Sequence, residues 1–111
     1  MESILTSVKK VLGITEDYTH FDEDLIMHIN SVFMILTQIG VGPEEGYRIE
    51  DDTNTWDEFT DDDVTLEAIK SYVPLKVKLL FDPSASSSVT ESINRMISEF
   101  EWRLYIAADR D

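Results

Sequence analysis

The sequence predicts a mostly α-helical protein, a small bundle of about four helices with two long central and C-terminal helices. Apolar residues recur at intervals of three and four over four separate segments, and glycines follow the first two of these segments. Hydrophobic residues make up 42% of the 111 residues, which is enough for a modest core. This patterned hydrophobic content argues against a disordered chain, although the net charge is -14.

The first two predicted helices span residues 3–12 and 22–39, and residues 14–21 connect them. Gly13 and Gly40 follow these helices and suit the left-handed conformation that often ends a helix. Asp22 is the expected N-cap of the second helix. The two apolar stripes consist of Ile4, Leu5, Val8, Val11 and Leu12, and of Leu25, Ile26, Ile29, Val32, Phe33, Leu36 and Ile39.

Residues 41–63 form a predicted acidic loop that is able to hold a short β-hairpin, with Tyr47–Ile49 pairing with Thr55–Trp56. The loop contains ten acidic residues and one base, Arg48, so it carries -9 of the net charge. The ten acids are Glu44, Glu45, Glu50, Asp51, Asp52, Asp57, Glu58, Asp61, Asp62 and Asp63.

The last two predicted helices span residues 64–81 and 88–108, which completes a single domain over residues 1–111. The third helix is apolar on two faces, so we expect it in the middle of the bundle, with a kink near Lys70 caused by Pro74. Asp82 and Pro83 are expected to end the third helix and residues 84–88 to form a flexible link, and Ser88 with Glu91 matches a capping box. The core stripe of the fourth helix consists of Val89, Ile93, Met96, Ile97, Phe100, Leu104 and Ala107.

Composition excludes several classes of function. Binding nucleic acid through its phosphates requires clustered basic residues, and a net charge of -14 also opposes an anionic membrane surface. The chain contains no cysteine, which excludes disulfides and thiolate metal sites. The N-terminus lacks the basic start and apolar run of a signal peptide, and no long uncharged apolar stretch is present, so we expect a cytosolic protein that does not span a membrane.

The sequence predicts no enzyme activity, no cofactor and no metal site. His20 and His28 belong to no metal-ligand pattern, and the glycines near residue 42 lack the Lys-Ser/Thr ending of a phosphate-binding loop. A calcium loop starting at Asp52 fails because Trp56 and Asp57 occupy positions that require an acid and a glycine.

Two apolar groups lie off the predicted core stripes and indicate partner binding. Trp102, Tyr105 and Ile106 centre on the side of the last helix opposite its core stripe, and Met27 and Met34 form a similar pair on the second helix. The alternative is that the last helix packs between two layers of its own domain.

Five segments, in order, resemble one protein family. They are MHINSVF (27–33), QIGVGP (38–43), YRIED (47–51) with Trp56, KVKLLFDP (76–83) and EFEWRL (99–104). Together they are similar to the head–tail connector proteins of long-tailed phages and prophages of Gram-positive bacteria, over residues 3–105. Pro74 and Ser84 depart from the family pattern, where an aromatic residue and a proline are more usual.

The resemblance implies a structural, mostly helical virion protein of the head–tail interface, present in the host bacterial cytoplasm during assembly. Such proteins form a ring of about a dozen copies on the portal protein, complete the head, and let a stopper or tail-completion protein dock while DNA passes through. Several are monomers until they meet the portal.

The residues suggest how such a ring would work. We expect carboxylates of the acidic loop to line the lumen and repel DNA, and the alternative is that they face basic patches on the portal or a neighbour. The last helix is the best candidate for portal docking, with a polar tail over residues 107–111. Two other functions stay open, an acidic DNA mimic that inhibits a nucleic-acid-binding enzyme and a generic helical adaptor.

Overall fold

A computed structural model describes residues 2–81 and 87–109, and it confirms the predicted helical bundle. Its four helices are α1 (Ile4–Leu12), α2 (Asp22–Ile39), α3 (Asp63–Phe81) and α4 (Ser87–Asp109). A single 3-10 turn, Trp56–Glu58, interrupts the long connection between α2 and α3. Residues 82–86, which include the first part of the predicted link at 84–88, and residues 110–111 at the end of the predicted tail lie outside the described residues. The last two residues of the predicted link belong to α4.

The ends of α1 and α2 follow local rules, with one correction at the start of α2. Ser3 caps α1, because its hydroxyl accepts a hydrogen bond from the backbone N–H of Thr6, and Gly13 and Gly40 are left-handed as predicted. The prediction that Asp22 is the N-cap of α2 is wrong. Phe21 occupies that position without a side-chain cap, and the Asp22 carboxylate pairs with Lys9.

Helix α3 lies at the centre of the bundle, as its two apolar faces predicted. It contacts α1, α2, α4 and the 3-10 turn, and Pro74 is buried within it. The buried Tyr72 donates a hydrogen bond from its hydroxyl to the Glu101 carboxylate of α4, 2.7 Å away. Burial first, and then this carboxylate, raise the pKa of Tyr72, so the phenol stays protonated and ties α3 to α4.

The predicted hairpin in the acidic loop is wrong, since the described residues of the loop contain no strand. Thr55 forms an isolated bridge with Ser3, and Trp56 turns into the core instead of pairing with residues 47–49. The backbone N–H and C=O of Ile49 bind the side chain of Asn30, so they are not free for a strand partner. Contacts with α1 and α2 therefore take the place of the hydrogen bonds expected between the two strands of a hairpin.

The core stripe of α4 is narrower than predicted. Ile93, Ile97 and Leu104 are buried, and Phe100 is half-buried. Val89, Met96 and Ala107 are exposed, as are Val11, Val64 and Leu80 on other helices. Helix α4 thus rests on the bundle along one line of side chains and leaves both of its flanks at the surface. Its start at Ser87 also places the predicted cap, Ser88, inside the helix.

Candidate partner-binding surfaces

A groove runs along the outer side of α2, and the predicted methionine pair lies in it. Met27 and Met34 are 59% and 62% exposed, and the groove has a volume of about 970 Å³. Residues 45–48 of the acidic loop form its second wall, where the ring of Tyr47 packs edge-on against Phe33. We call this surface the α2 groove; its lining residues are Glu23, Ile26, Met27, Asn30, Ser31, Met34, Thr37, Glu45, Gly46, Tyr47 and Arg48.

The predicted aromatic group lies on the outer side of α4. Trp102 and Tyr105 are 63% and 49% exposed, and their rings stack with centroids 6.4 Å apart. Ile106, the third predicted member, is half-buried. The structure therefore leaves two large, stacked aromatic side chains at the surface of a folded chain, which is the usual appearance of an interface anchor.

A second apolar flank of α4 was missed by the sequence reasoning. Met96 lies beside Phe100 in a shallow depression of about 310 Å³, with the ion pair of Glu99 and Arg103 at its edge. Met96 was assigned to the core because it lies at the edge of the predicted stripe, about 60° around the helix from Ile93. Whether Met96 is buried or exposed is decided by how deeply α4 packs into the bundle.

The acidic loop is held in place by four buried apolar residues. Val41, Ile49, Trp56 and Phe59 all belong to the main core. The indole N–H of Trp56 donates a hydrogen bond to the hydroxyl of Ser7, 3.0 Å away on α1. All ten acidic residues are exposed. The loop therefore presents its charge to solvent from a backbone that is fixed to the core.

Asn54 organises the turn between these anchors. Its side-chain oxygen accepts hydrogen bonds from the backbone N–H groups of Glu50 and Asp51, at 2.8 and 3.4 Å. Its amide nitrogen donates to the carboxylate of Glu58, 2.9 Å away, which also accepts a hydrogen bond from the Tyr47 hydroxyl. These bonds join both ends of the acidic turn and one wall of the α2 groove.

Hydrogen bonds to loop carboxylates keep them ionised. The amide of Asn54 and the Tyr47 hydroxyl lower the pKa of Glu58, and the hydroxyl and backbone N–H of Thr53 lower the pKa of Asp51. The pKa values of Asp57 and Asp62 are lowered in the same way by the hydroxyls of Thr55 and Thr65. These four carboxylates therefore stay ionised to a lower pH than free carboxyl groups do.

The connection between α1 and α2 is fixed by a buried lysine. Lys9 is only 2% exposed, and its ammonium group lies 2.9 Å from both the Glu16 carbonyl oxygen and the Asp22 carboxylate. This partly buried ion pair holds the start of α2 against the connection that follows α1.

The two histidines lie beside aromatic rings. The ring of His20 packs edge-on against Phe21, and that of His28 lies 6.5 Å from Phe81. Within residues 2–81 and 87–109, no group of three or more His, Cys, Asp or Glu side chains is arranged to hold a metal ion. None of the helices in these ranges combines the length and apolar character that crossing a membrane requires.

Comparison with known proteins gives the family. The family model described as Phage connector protein matches residues 4–111, which is nearly the whole chain. No curated protein and no solved structure matches the sequence. The match confirms the resemblance found in the sequence, and the helical bundle agrees with it. The chain belongs to the phage connector proteins, a family of structural virion components that join other phage head and tail proteins.

Proposed function

We propose that the protein is a head–tail connector that assembles as a ring on the portal protein. In this role it completes the head, leaves a passage for DNA, and offers a docking surface to a stopper or tail-completion protein. The ring would contain about twelve copies, with each copy contacting its neighbours through two different surfaces. The family match over residues 4–111 carries this proposal.

The exposed apolar side chains support assembly. Met27, Met34, Trp102 and Tyr105 remain about half exposed or more, although the chain has a well-formed core beneath them. Full burial of a large apolar side chain contributes roughly 1.5–3 kcal/mol relative to full exposure, and a partner would supply the part of this burial that the fold leaves undone. Two apolar surfaces on separate helices suit a subunit that has a neighbour on each side.

We also propose that the acidic loop faces the lumen of the ring. None of its ten carboxylates forms an ion pair with a lysine or arginine in the described ranges. The buried anchors hold this charge at a fixed place on the subunit. Repeated around a ring, it would repel DNA phosphates and let DNA pass without being gripped. The alternative is that the loop meets basic surfaces of the portal or of a neighbour.

Helix α4 is our candidate for contact with the portal. It presents an apolar flank at Val89 and Met96 in addition to the side that carries Trp102. One flank is thus available to a neighbouring copy and the other to the portal. The polar tail that begins at Ala107 continues past the described residues.

Light scattering tests the proposed function. The mass of the protein is measured alone at low and at high salt, and then after mixing with its portal protein. We expect a monomer alone at low salt and a stoichiometric ring on the portal. Failure of the protein to bind the portal at every salt concentration would contradict the proposal and favour the generic helical adaptor. Competition with DNA for a restriction or repair enzyme would favour the DNA mimic.

A further inference from the structure

The α2 groove has the shape and lining of a site for a helix. From Glu23 to Thr37 it follows α2 over about 21 Å, the length of about fourteen helical residues. Met27, Met34 and Tyr47 line it. Methionine side chains adapt their shape and make favourable contacts with aromatic rings, so this lining suits an aromatic ligand.

The outer side of α4 has the complementary shape. The stacked rings of Trp102 and Tyr105 form a ridge on a helix, with few rotatable bonds to immobilise on binding. Arg95 and Ser98 lie on the same side of α4, seven and four residues before Trp102, and both are exposed. We call this surface the α4 ridge; it consists of Arg95, Ser98, Trp102, Tyr105 and Ile106.

Arg95 on the α4 ridge and two carboxylates in the α2 groove have opposite charges, although each surface also carries one charge of the other sign, Arg48 in the groove and Glu91 beside Arg95 on α4. The α2 groove carries a carboxylate near each end, Glu23 and Glu45. Neither forms an ion pair within residues 2–81 and 87–109, and neither does Arg95 of the α4 ridge. With Trp102 in the middle of the groove, Arg95 lies about 10 Å away along the helix, toward one of these carboxylates.

We propose that the α2 groove of one copy receives the α4 ridge of the next copy. This inference rests on the proposed ring and names the two surfaces that build it. A ridge and a groove are different surfaces, so each contact leaves a free ridge on one copy and a free groove on the other. Such a contact continues from copy to copy beyond a dimer, and it forms a ring where the rotation between copies closes, as we propose on the portal.

Cross-linking between two introduced cysteines tests the pairing. The natural chain has no cysteine, so only the introduced positions of this protein can react. Ser31→Cys places a thiol in the α2 groove and Ser98→Cys places one on the α4 ridge, without altering the methionines or the aromatic pair. The double variant is bound to the portal and treated with a short bismaleimide. We expect a ladder of linked multimers from the double variant and only unlinked subunits from either single variant.

The matched control carries Ser31→Cys with Ser71→Cys, an exposed serine on α3 outside both surfaces. We expect its ladder to be weaker by about tenfold or more, and Trp102→Ala in the first double variant to cause a similar loss. Arg95→Glu should weaken the ladder, and Glu23→Lys or Glu45→Lys should restore it, which also gives the direction of the helix in the groove.

The outcomes separate this inference from the proposed function. One outcome is that the variants join the portal as rings while positions 31 and 98 of the double variant cross-link no more than the positions of the control. In that case the pairing is wrong and the connector function stands. If a single variant links to itself, the contact joins like surfaces, and the pairing is also wrong. If the unmodified protein does not bind the portal, the proposed function itself fails.

Discussion

The side chain of Asn30 on α2 binds both backbone polar groups of Ile49 in the acidic loop. Its oxygen accepts a hydrogen bond from the Ile49 N–H at 2.7 Å, and its amide nitrogen donates to the Ile49 carbonyl oxygen at 3.0 Å. Asn30 thus takes the place of a neighbouring strand. The Ile49 side chain is fully buried beneath this contact.

Replacing Asn30 with alanine should destabilise the fold. Two backbone groups over a buried residue would lose their partner, at about 1–3 kcal/mol for each one that water cannot reach. We expect the free energy of unfolding in urea to fall by roughly 2–4 kcal/mol. Gln38→Ala, at an exposed position of the same helix, should change it by less than about 0.5 kcal/mol. Equal effects of the two substitutions would contradict this role of Asn30.

Gly42 and Gly13 allow backbone strain to be separated from packing. Both have positive φ, at 85° and 77°, but a Cβ on Gly42 would collide with the ring of Phe59, whereas one on Gly13 meets open space. Gly13→Ala should cost about 1–2 kcal/mol from the left-handed backbone alone. Gly42→Ala should cost about 1–3 kcal/mol more, because the buried Phe59 must move. Thermal unfolding of both variants measures the difference, and equal costs would show that Phe59 does not pack there.

The acidic turn should lose stability in acid. Hydrogen bonds from Asn54 and Tyr47 lower the pKa of Glu58 below its ordinary value of 4.5. A lowered pKa in the folded state stabilises the fold above the ordinary pKa, and this contribution disappears as the pH falls through the lowered value. Urea unfolding of the natural chain and of Glu58→Gln should therefore differ at pH 7 and converge as the pH falls through the lowered pKa of Glu58. A constant difference across this range would contradict the assignment.

Four loop acids can be neutralised without disturbing the turn. The side chains of Glu44, Glu50, Asp52 and Asp61 accept no hydrogen bond within the described residues. If the loop lines the lumen, changing all four to the matching amides should leave the portal ring intact and increase the affinity of that ring for DNA. Loss of the ring would instead indicate that these acids contact the portal or a neighbour. DNA binding and light scattering on the same samples separate these outcomes.

Salt should promote association of the isolated protein. Copies that carry a net charge of -14 repel each other, and raising the ionic strength from about 0.01 to 0.15 M shortens the screening length from about 30 to 8 Å. We expect sedimentation velocity at high protein concentration to show more association as salt increases, and Trp102→Ala to abolish it. Association that decreases with salt would mean that attraction between opposite charges dominates.

Local and long-range interactions explain which features the sequence predicted. The bounds of α2 and the C-terminal ends of α1 and α2 at Gly13 and Gly40 depend on residues within one helical turn. A local sequence pattern can therefore predict them. The hairpin prediction failed because Trp56 is fixed by Ser7, 49 positions away, and Ile49 by Asn30. No local pattern reports these partners.

For the candidate surfaces too, the features that depend on local periodicity were predictable, and those that depend on packing between distant segments were not. Trp102 and Tyr105 could be placed on the side of α4 away from the core from helical periodicity alone, and the structure leaves them exposed. The exposure of Met96 was not predictable, because it depends on how deeply α4 rests against α3. The groove beside Met27 and Met34 also needed the structure, since its second wall comes from residues 45–48.

The most direct test of the connector function is an electron cryomicroscopy map of the portal after incubation with this protein. We predict a closed ring of copies beneath the portal, with α4 of each copy lying against α2 of the next and the acidic loops around the channel. A portal that carries no added density, or that binds separate copies without contact between them, would contradict the account.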